Sequence, residues 1–258
     1  MPASLRINSR GQGPEILLLH GWGMNHTIWG KAVDILSQRF TLHLVDLPGH
    51  GEAHASALGK DTSGFTAQLA ADLPGAMWLG WSLGGMITLQ ALSQPDIEVR
   101  AAILVGTNPS FTKRTHWQHG VDGLVFDTFK SSLSRDPGAT LDRFLALESQ
   151  GSINARDCLR KIRASVQSRP LPNPGALSDG LDILQFTDLT ASLGQLASPC
   201  HWITGSDDQL VPSEASRQAA QLMPRASFQC FEGAGHVPFL SHPTTFAKSV
   251  AQFMEQWA

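Results

Sequence analysis

The stretch Ala76-Met-Trp-Leu-Gly-Trp-Ser-Leu-Gly-Gly-Met-Ile-Thr-Leu-Gln-Ala-Leu92 passes from an apolar run directly into a helical pattern, with Gly80-Trp-Ser-Leu-Gly84 at the join. A strand that turns sharply into a helix forces strained backbone angles on the residue at the turn. Flanking glycines let neighbouring backbone approach without a Cβ clash. Five residues of the form GxSxG carry little weight alone; their place between a strand and a helix gives them meaning. The expectation is a Ser82 hydroxyl held out above the end of a strand. The plainer alternative is an ordinary strand-to-helix turn with a capping serine.

Outward from this turn, Glu15 to Leu19, Phe40 to Val45, Ala101 to Val105, Cys200 to Thr204 and Ser227 to Phe231 are further short apolar runs that end in polar or glycine-containing turns. Buried parallel strands look like this. Helical patterns lie between several of them, at about Ile28 to Ser37, Leu83 to Leu92 and Ser213 to Leu222, so strand and helix alternate. Phe246, Val250, Phe253, Met254 and Trp257 recur at helical spacing and predict a last helix packed on the sheet. From about Phe111 to Leu189 the pattern changes to helical segments broken by Asp136-Pro-Gly and Pro170-Leu-Pro-Asn-Pro-Gly. Residues 111–189 are therefore expected to form a helical cap inserted into a core of residues 1–110 and 190–258. A cap over the carboxyl ends of a parallel sheet covers the crevice where such sheets bind ligands.

The 258 residues suffice for one large α/β unit with an insertion. A net charge of −3 gives no electrostatic case for binding nucleic acid with the whole surface. Met1 to Arg10 lacks an apolar core of signal-peptide length, and no run approaches a membrane span of roughly 18 apolar residues. A cytoplasmic protein without membrane attachment is expected, and a monomer, since no patterned extra surface calls for a second subunit. Cys158, Cys200 and Cys230 show no metal-site spacing. His50-Gly-Glu-Ala-His54 places two imidazoles four residues apart, but its pattern is not HExxH and no third ligand stands out, so no metal is expected.

A serine hydroxyl needs an adjacent imidazole to become a nucleophile, and the imidazole needs an acid to fix its tautomer. Gly233-Ala-Gly-His236 follows the last predicted strand, and Gly205-Ser-Asp-Asp-Gln-Leu-Val-Pro212 follows the one before, offering Asp207 and Asp208. The order serine, aspartate, histidine is that of the α/β-hydrolase fold. His20-Gly-Trp-Gly23, after the first apolar run, resembles the HG-type loop whose backbone N–H groups hold a tetrahedral oxyanion. Trp22 and Leu83 are the expected donors.

The resemblance then extends along nearly the whole chain. Leu18-Leu-His-Gly-Trp-Gly-Met-Asn25, Leu42-His-Leu-Val-Asp-Leu-Pro-Gly-His-Gly51, Trp78-Leu-Gly-Trp-Ser-Leu-Gly-Gly85, Arg143-Phe-Leu-Ala-Leu147 and Leu210-Val-Pro212 look like the biotin-synthesis esterases that demethylate the methyl ester of pimeloyl-[acyl-carrier protein]. The resemblance implies an α/β-hydrolase fold, with a mostly parallel sheet flanked by helices and a four-helix cap. It implies no cofactor. The spacing Gly-x-x-Asp-x-x-Val-Pro in similar hydrolases selects Asp208 over Asp207, giving Ser82, Asp208 and His236 as the triad.

The partner so implied is an acyl carrier protein, which is acidic and bears a phosphate. Arg156, Arg160, Lys161, Arg163 and Arg169 fall in a short stretch opposed by Asp157 alone, and arginine forks suit both features. By resemblance Arg143, Arg156 and Arg160 contact the carrier protein. The family's further basic residue just before Arg143 has no clear counterpart, because Ala139 to Asp142 intervene, and Arg135 is only a candidate to replace it. The alternative is that these charges only solvate a helix. Trp22, Trp81, Leu83, Ser110, Phe111 and Phe144 are the candidates for the acyl-binding wall, against the alternative that such aromatics are plain core. Two other readings share the motifs: a general short-chain carboxylesterase or carbon–carbon bond hydrolase, and a binding protein that kept the fold without catalysis.

Overall fold

Apolar runs with both faces buried need helices on either side of the sheet they form, and the computed structural model, which describes residues 5–258, is built that way. Along the chain come β1 (Arg6–Arg10), β2 (Glu15–Leu19), a 3₁₀ turn at His26–Trp29, α1 (Gly30–Leu36), β3 (Thr41–Asp46) and α2 (Ser63–Asp72). Then β4 (Met77–Trp81) enters α3 (Leu83–Leu92), followed by β5 (Ala102–Val105). Four helices follow: α4 (Gly123–Arg135), α5 (Pro137–Ser149), α6 (Ala155–Gln167) and α7 (Pro174–Phe186). The chain then returns through β6 (Cys200–Gly205), α8 (Ser213–Leu222), β7 (Ala226–Phe231), α9 (Pro238–Ser241) and α10 (Pro243–Met254).

The seven strands form one sheet in the order β1-β3-β2-β4-β5-β6-β7. All neighbours are parallel except β1, which runs antiparallel to β3 with Ile7 opposite Val45. The six expected strands are present within one residue of their predicted bounds. β1 was not expected: its sequence Arg-Ile-Asn-Ser-Arg is polar and its residues are mostly exposed, as suits an edge strand. It occupies half of the N-terminal stretch read above, whose first four residues lie outside the described ones. The predicted helix from Ile28 is a 3₁₀ turn continued by α1, and α2 was also unforeseen. α3 packs on β4 and β5, α8 on β6 and β7, and α1 against α10.

The helices of residues 123–186 start where the turn residues dictate. Asp122 accepts from Leu124 N–H to cap α4, Asp136 from Ala139 N–H to cap α5, and Asn173 from Gly175 N–H to cap α7, the last two with proline at the first helical position. α6 is amphipathic, with Cys158, Ile162, Ser165 and Val166 inward and Arg156, Arg160 and Arg163 outward. These helices dock on the loop after β2: Asn25 Nδ2 donates to Ser165 O at 2.9 Å and Trp22 Nε1 to Leu177 O at 2.8 Å. Among the described residues no helix is long and apolar enough to cross a membrane.

Candidate active site

Ser82 sits at the turn from β4 to α3 with φ 54°, the one non-glycine residue at positive φ among those described. Such a conformation costs about 1–3 kcal/mol and persists only when its surroundings hold it. Here they do: Ser82 N–H donates to Val105 O at 2.9 Å, and its carbonyl accepts from Thr107 Oγ1 at 2.8 Å and Met86 N–H at 3.0 Å. The glycines of the motif are required by contact. A Cβ on Gly84 would stand 2.2 Å from Leu19 O, and one on Gly80 2.4 Å from Gly84 O.

The loops after β6 and β7 bring Asp208 and His236 together. His236 Nδ1 and Asp208 Oδ2 are 2.8 Å apart, and Asp208 Oδ1 accepts from Leu210 and Val211 N–H at 2.9 and 3.0 Å. A carboxylate only accepts, so Nδ1 carries the proton and Nε2 keeps its lone pair. Nε2 is buried without a hydrogen-bond partner. Ser82 and His236 border one cavity, and no hydrogen bond joins them in this structure; such contacts often tighten only with substrate bound. Trp81 Nε1 donates to His236 O at 3.0 Å, with the two rings 5.6 Å apart. Asp207 is exposed and accepts from Ser206 Oγ.

The loop after β2 is held by a buried network. His20 Nε2 accepts from Leu47 N–H at 3.0 Å while Nδ1 donates to Gly21 O at 2.8 Å, which makes the ring neutral. Burial lowers its pKa, against the opposing pull of Asp46. Asp46 accepts from His26 N–H, from His26 Nδ1 and from Glu52 N–H, at 2.7, 2.9 and 2.8 Å. Burial works against its ionisation, yet these bonds and His20 win and hold it at about 2. Trp22 N–H belongs to this loop. Leu83 N–H opens α3, where the first turn has no intrahelical acceptors.

Ser82 and His236 border a cavity of about 140 Å³ whose other walls include Phe111, Phe129, Phe144, Leu181, Leu184 and Leu210. Phe111 and Phe144 stand where a wall residue should. Trp22, Trp81, Leu83 and Ser110 do not border it. Trp22 lies behind, edge-on to Phe129 and Phe144, and Trp81 packs on His236, Phe239 and Trp29. Leu83 is buried near Gly180, and the Ser110 hydroxyl donates to Thr112 O at 2.8 Å. A surface groove bordered by Arg143, Leu124 and Thr140 shares Val125, Phe129 and Leu147 with the cavity.

Residues 14–243 match the family described as the alpha/beta hydrolase fold. The chain is 40% identical over 251 residues to a pimeloyl-[acyl-carrier protein] methyl ester esterase of Xanthomonas campestris pv. campestris, covering 97% of this chain and 98% of that one. It is 37% identical to the esterase of the same name from Photobacterium profundum, covering 99% and 100%. The chain belongs to the pimeloyl-[acyl-carrier protein] methyl ester esterase family, within the α/β-hydrolases. Its fold also matches an esterase from Exiguobacterium antarcticum, with TM-score 0.86 at 22% identity, over 97% of this chain and 95% of that one. It is a carboxylic ester hydrolase by family.

Of the family's expected cap arginines, Arg143, Arg156 and Arg160 are all exposed. Arg160 and Lys161 share Asp157, Arg163 lies 3.9 Å from Asp142, and Arg156 forms no ion pair among the described residues. Arg135, at the end of α4, is exposed and donates to Ser131 O. His50 is buried against His20, and burial together with His20 lowers its pKa to about 3, whereas His54 is exposed. Thr107 and Asp46, which hold the nucleophile turn and the loop after β2, were not among the expected site residues. Asp46 was within the quoted motif, and its place at a strand's carboxyl end was the available signal. Glu148 was not among them either; it is wholly buried although Leu147 and Gln150 on either side of it are exposed, so the local pattern carries no mark of its burial.

Proposed function

We propose that this protein is a monomeric, cytoplasmic serine esterase that hydrolyses the methyl ester of pimeloyl-[acyl-carrier protein], releasing methanol in biotin synthesis. Residues 111–189 act as the cap of a core formed by residues 1–110 and 190–258. The reading is carried by the apolar cavity bordered by Ser82 and His236, which shares three side chains with a groove bearing Arg143. A neutral ester on an aliphatic chain suits such walls, and an acidic carrier with a phosphate suits the exposed arginines outside.

In this mechanism Ser82 Oγ attacks the ester carbonyl as His236 Nε2 takes its proton, and Asp208 stabilises the imidazolium. The oxyanion accepts from Trp22 and Leu83 N–H. His236 returns the proton to the leaving methoxide, and methanol departs. Water then attacks the acyl-enzyme as His236 takes its proton, the bond to Ser82 Oγ breaks with that proton passing to Oγ, and the acid leaves as a carboxylate after losing a proton to solvent. Phe111 and Phe144 contact the acyl chain, while Trp22, Trp81 and Leu83 support that wall from behind. Arg143, Arg156 and Arg160 seat the carrier protein.

The test compares kcat/KM for the methyl pimeloyl thioester on acyl carrier protein with that on free pantetheine, in wild type and in the Arg156→Ala/Arg160→Ala double variant. The carrier-bound ester should be preferred, and the double variant should lose about 10- to 100-fold on that substrate alone, the worth of one or two charge-assisted contacts. Equal rates untouched by the substitutions would leave a general carboxylesterase. Retained turnover in a folded Ser82→Ala variant would remove the nucleophile.

A further inference from the structure

Glu148 is a carboxyl that the mechanism above does not use. It lies in the last turn of α5, is 0% exposed, and neither Oε1 nor Oε2 has a hydrogen-bond partner. A carboxylate there would give up its hydration with nothing in return, and the negative end of the helix adds to the penalty. Burial first, and the charge of Asp208 second, push its titration well above the ordinary carboxylate range.

The turn holding Glu148 touches both halves of the site. Leu147 borders the cavity. Just beyond, Ile153 N–H donates to Gly233 O at 2.8 Å, and Ser152 Oγ accepts from Gly235 N–H at 3.1 Å. The backbones nearly touch: a Cβ on Gly151 would stand 1.9 Å from Asp207 O, and one on Gly235 2.2 Å from Gln150 O. The titratable groups on these two loops are Asp207, Asp208, Glu232 and His236. On the neighbouring α6 they are Arg156, Asp157, Cys158, Arg160, Lys161 and Arg163, of which Cys158 is buried and held above its ordinary value by burial while Arg160 and Lys161 are bound to Asp157; on α4, also packed on α5, they are Asp127, Lys130 and Arg135. On α5 itself, Asp142 lies near Arg163, and Arg143 is exposed. No ion pair reaches Glu148 among the described residues, and Asp208 already accepts from His236 and two backbone N–H groups.

We propose that Glu148 is a positioning residue for the Asp208–His236 pair that works as an uncharged carboxylic acid, so that its proton loss sets the alkaline limit of both the fold and ester turnover. Uncharged, it stays buried at the end of α5 and leaves the charge acting on His236 to Asp208. When solvent hydroxide removes the proton, forming carboxylate and water, the new charge must reach solvent. The end of α5 then moves, carrying Leu147 from the cavity and Gln150 to Ile153 from the two loops.

The inference rests on the assignment of Asp208 and His236 to the reaction, so one arm of its test needs no substrate. A carboxyl titrating higher in the folded than in the unfolded chain makes stability fall as pH rises from about 4.3 towards the folded value. The unfolding constant of wild type relative to Glu148→Gln, from urea denaturation, should rise about tenfold per pH unit from about pH 5 upward, until the folded-state titration is reached. The alkaline limb of kcat/KM for p-nitrophenyl acetate should move upward by about one pH unit or more in the variant, a tenfold change in the titration of the group that sets it. A ratio independent of pH overturns the uncharged acid. A rising ratio with coincident alkaline limbs overturns the positioning role. If Glu148→Gln does not fold, infrared spectra of the wild type decide: a protonated carboxyl band at pH 7 that vanishes reversibly in alkali is expected, and its absence overturns the proposal.

Discussion

Asp207 and Asp208 are adjacent acids on one loop, and only their surroundings distinguish them. Asp208 is buried and gives its oxygens to His236 Nδ1 and two backbone N–H groups, whereas Asp207 is exposed on Ser206. Replacing Asp208 by asparagine keeps the shape but can present N–H to Nδ1, which favours the wrong imidazole tautomer. Asp208→Asn should therefore lower kcat about 10⁴-fold with the far-ultraviolet spectrum unchanged. Asp207→Asn should stay within about twofold, since surface changes away from a site are energetically small. A large loss in Asp207→Asn with Asp208→Asn active would reverse the assignment. At this scale the sequence was a partial guide: Ser82 and His236 were marked by glycines and by strand ends, but adjacent acids of equal chemistry needed a relative's spacing. Trp22 and Trp81 were expected on the acyl-binding wall and are buried without bordering the cavity, because large rings avoid water and a ring's type does not say which side of a wall it occupies.

The loop after β2 and the turn after β3 form one element in energetic terms, joined through Asp46, His20, His26 and His50. His50 titrates in the fold at about 3, against its ordinary value of 6.5, because burial and His20 both oppose its charge. The unfolded chain therefore binds the proton first, and stability falls as pH drops from about 6.5 towards about 3, by ~1.4 kcal/mol per pH unit for this one group. Asp46 acts in the same sense lower down: its contribution is present above 3.8 and lost as pH falls through about 2. His50→Gln should lower the acid slope of unfolding free energy by about one proton, measured by urea titration between about pH 4 and 6. An unchanged slope would mean that His50 accepts a proton without leaving the fold. The elements that carry this loop were legible because β2 is apolar after Glu15 and β3 keeps Leu42, Leu44 and Val45 in a buried run. β1 was not, since an exposed edge strand needs no apolar pattern, and its pairing with β3 is a long-range choice that local sequence does not record.

At the scale of the molecule, charge is divided by place: arginines stand outside on α5 and α6, and among the described residues no Lys or Arg borders the cavity at Ser82. This division bears on direction as well as affinity. The methyl ester is neutral and enters an apolar wall with a hydrophobic gain, but hydrolysis turns it into a carboxylate in the same place, where no cationic side chain among the described residues lines the wall. If the carrier-protein contacts proposed above are the same for ester and acid, the site disfavours the product it makes. Binding to Ser82→Ala protein should show the carrier-bound acid at least about 100-fold weaker than the carrier-bound methyl ester, or ~2.7 kcal/mol. Substituting lysine for Leu184, a wall residue, should narrow that gap by strengthening the acid while weakening the ester. Equal affinities for ester and acid in the Ser82→Ala protein would mean that the carboxylate finds solvent or a partner within the cavity, and that release depends on the carrier protein leaving first.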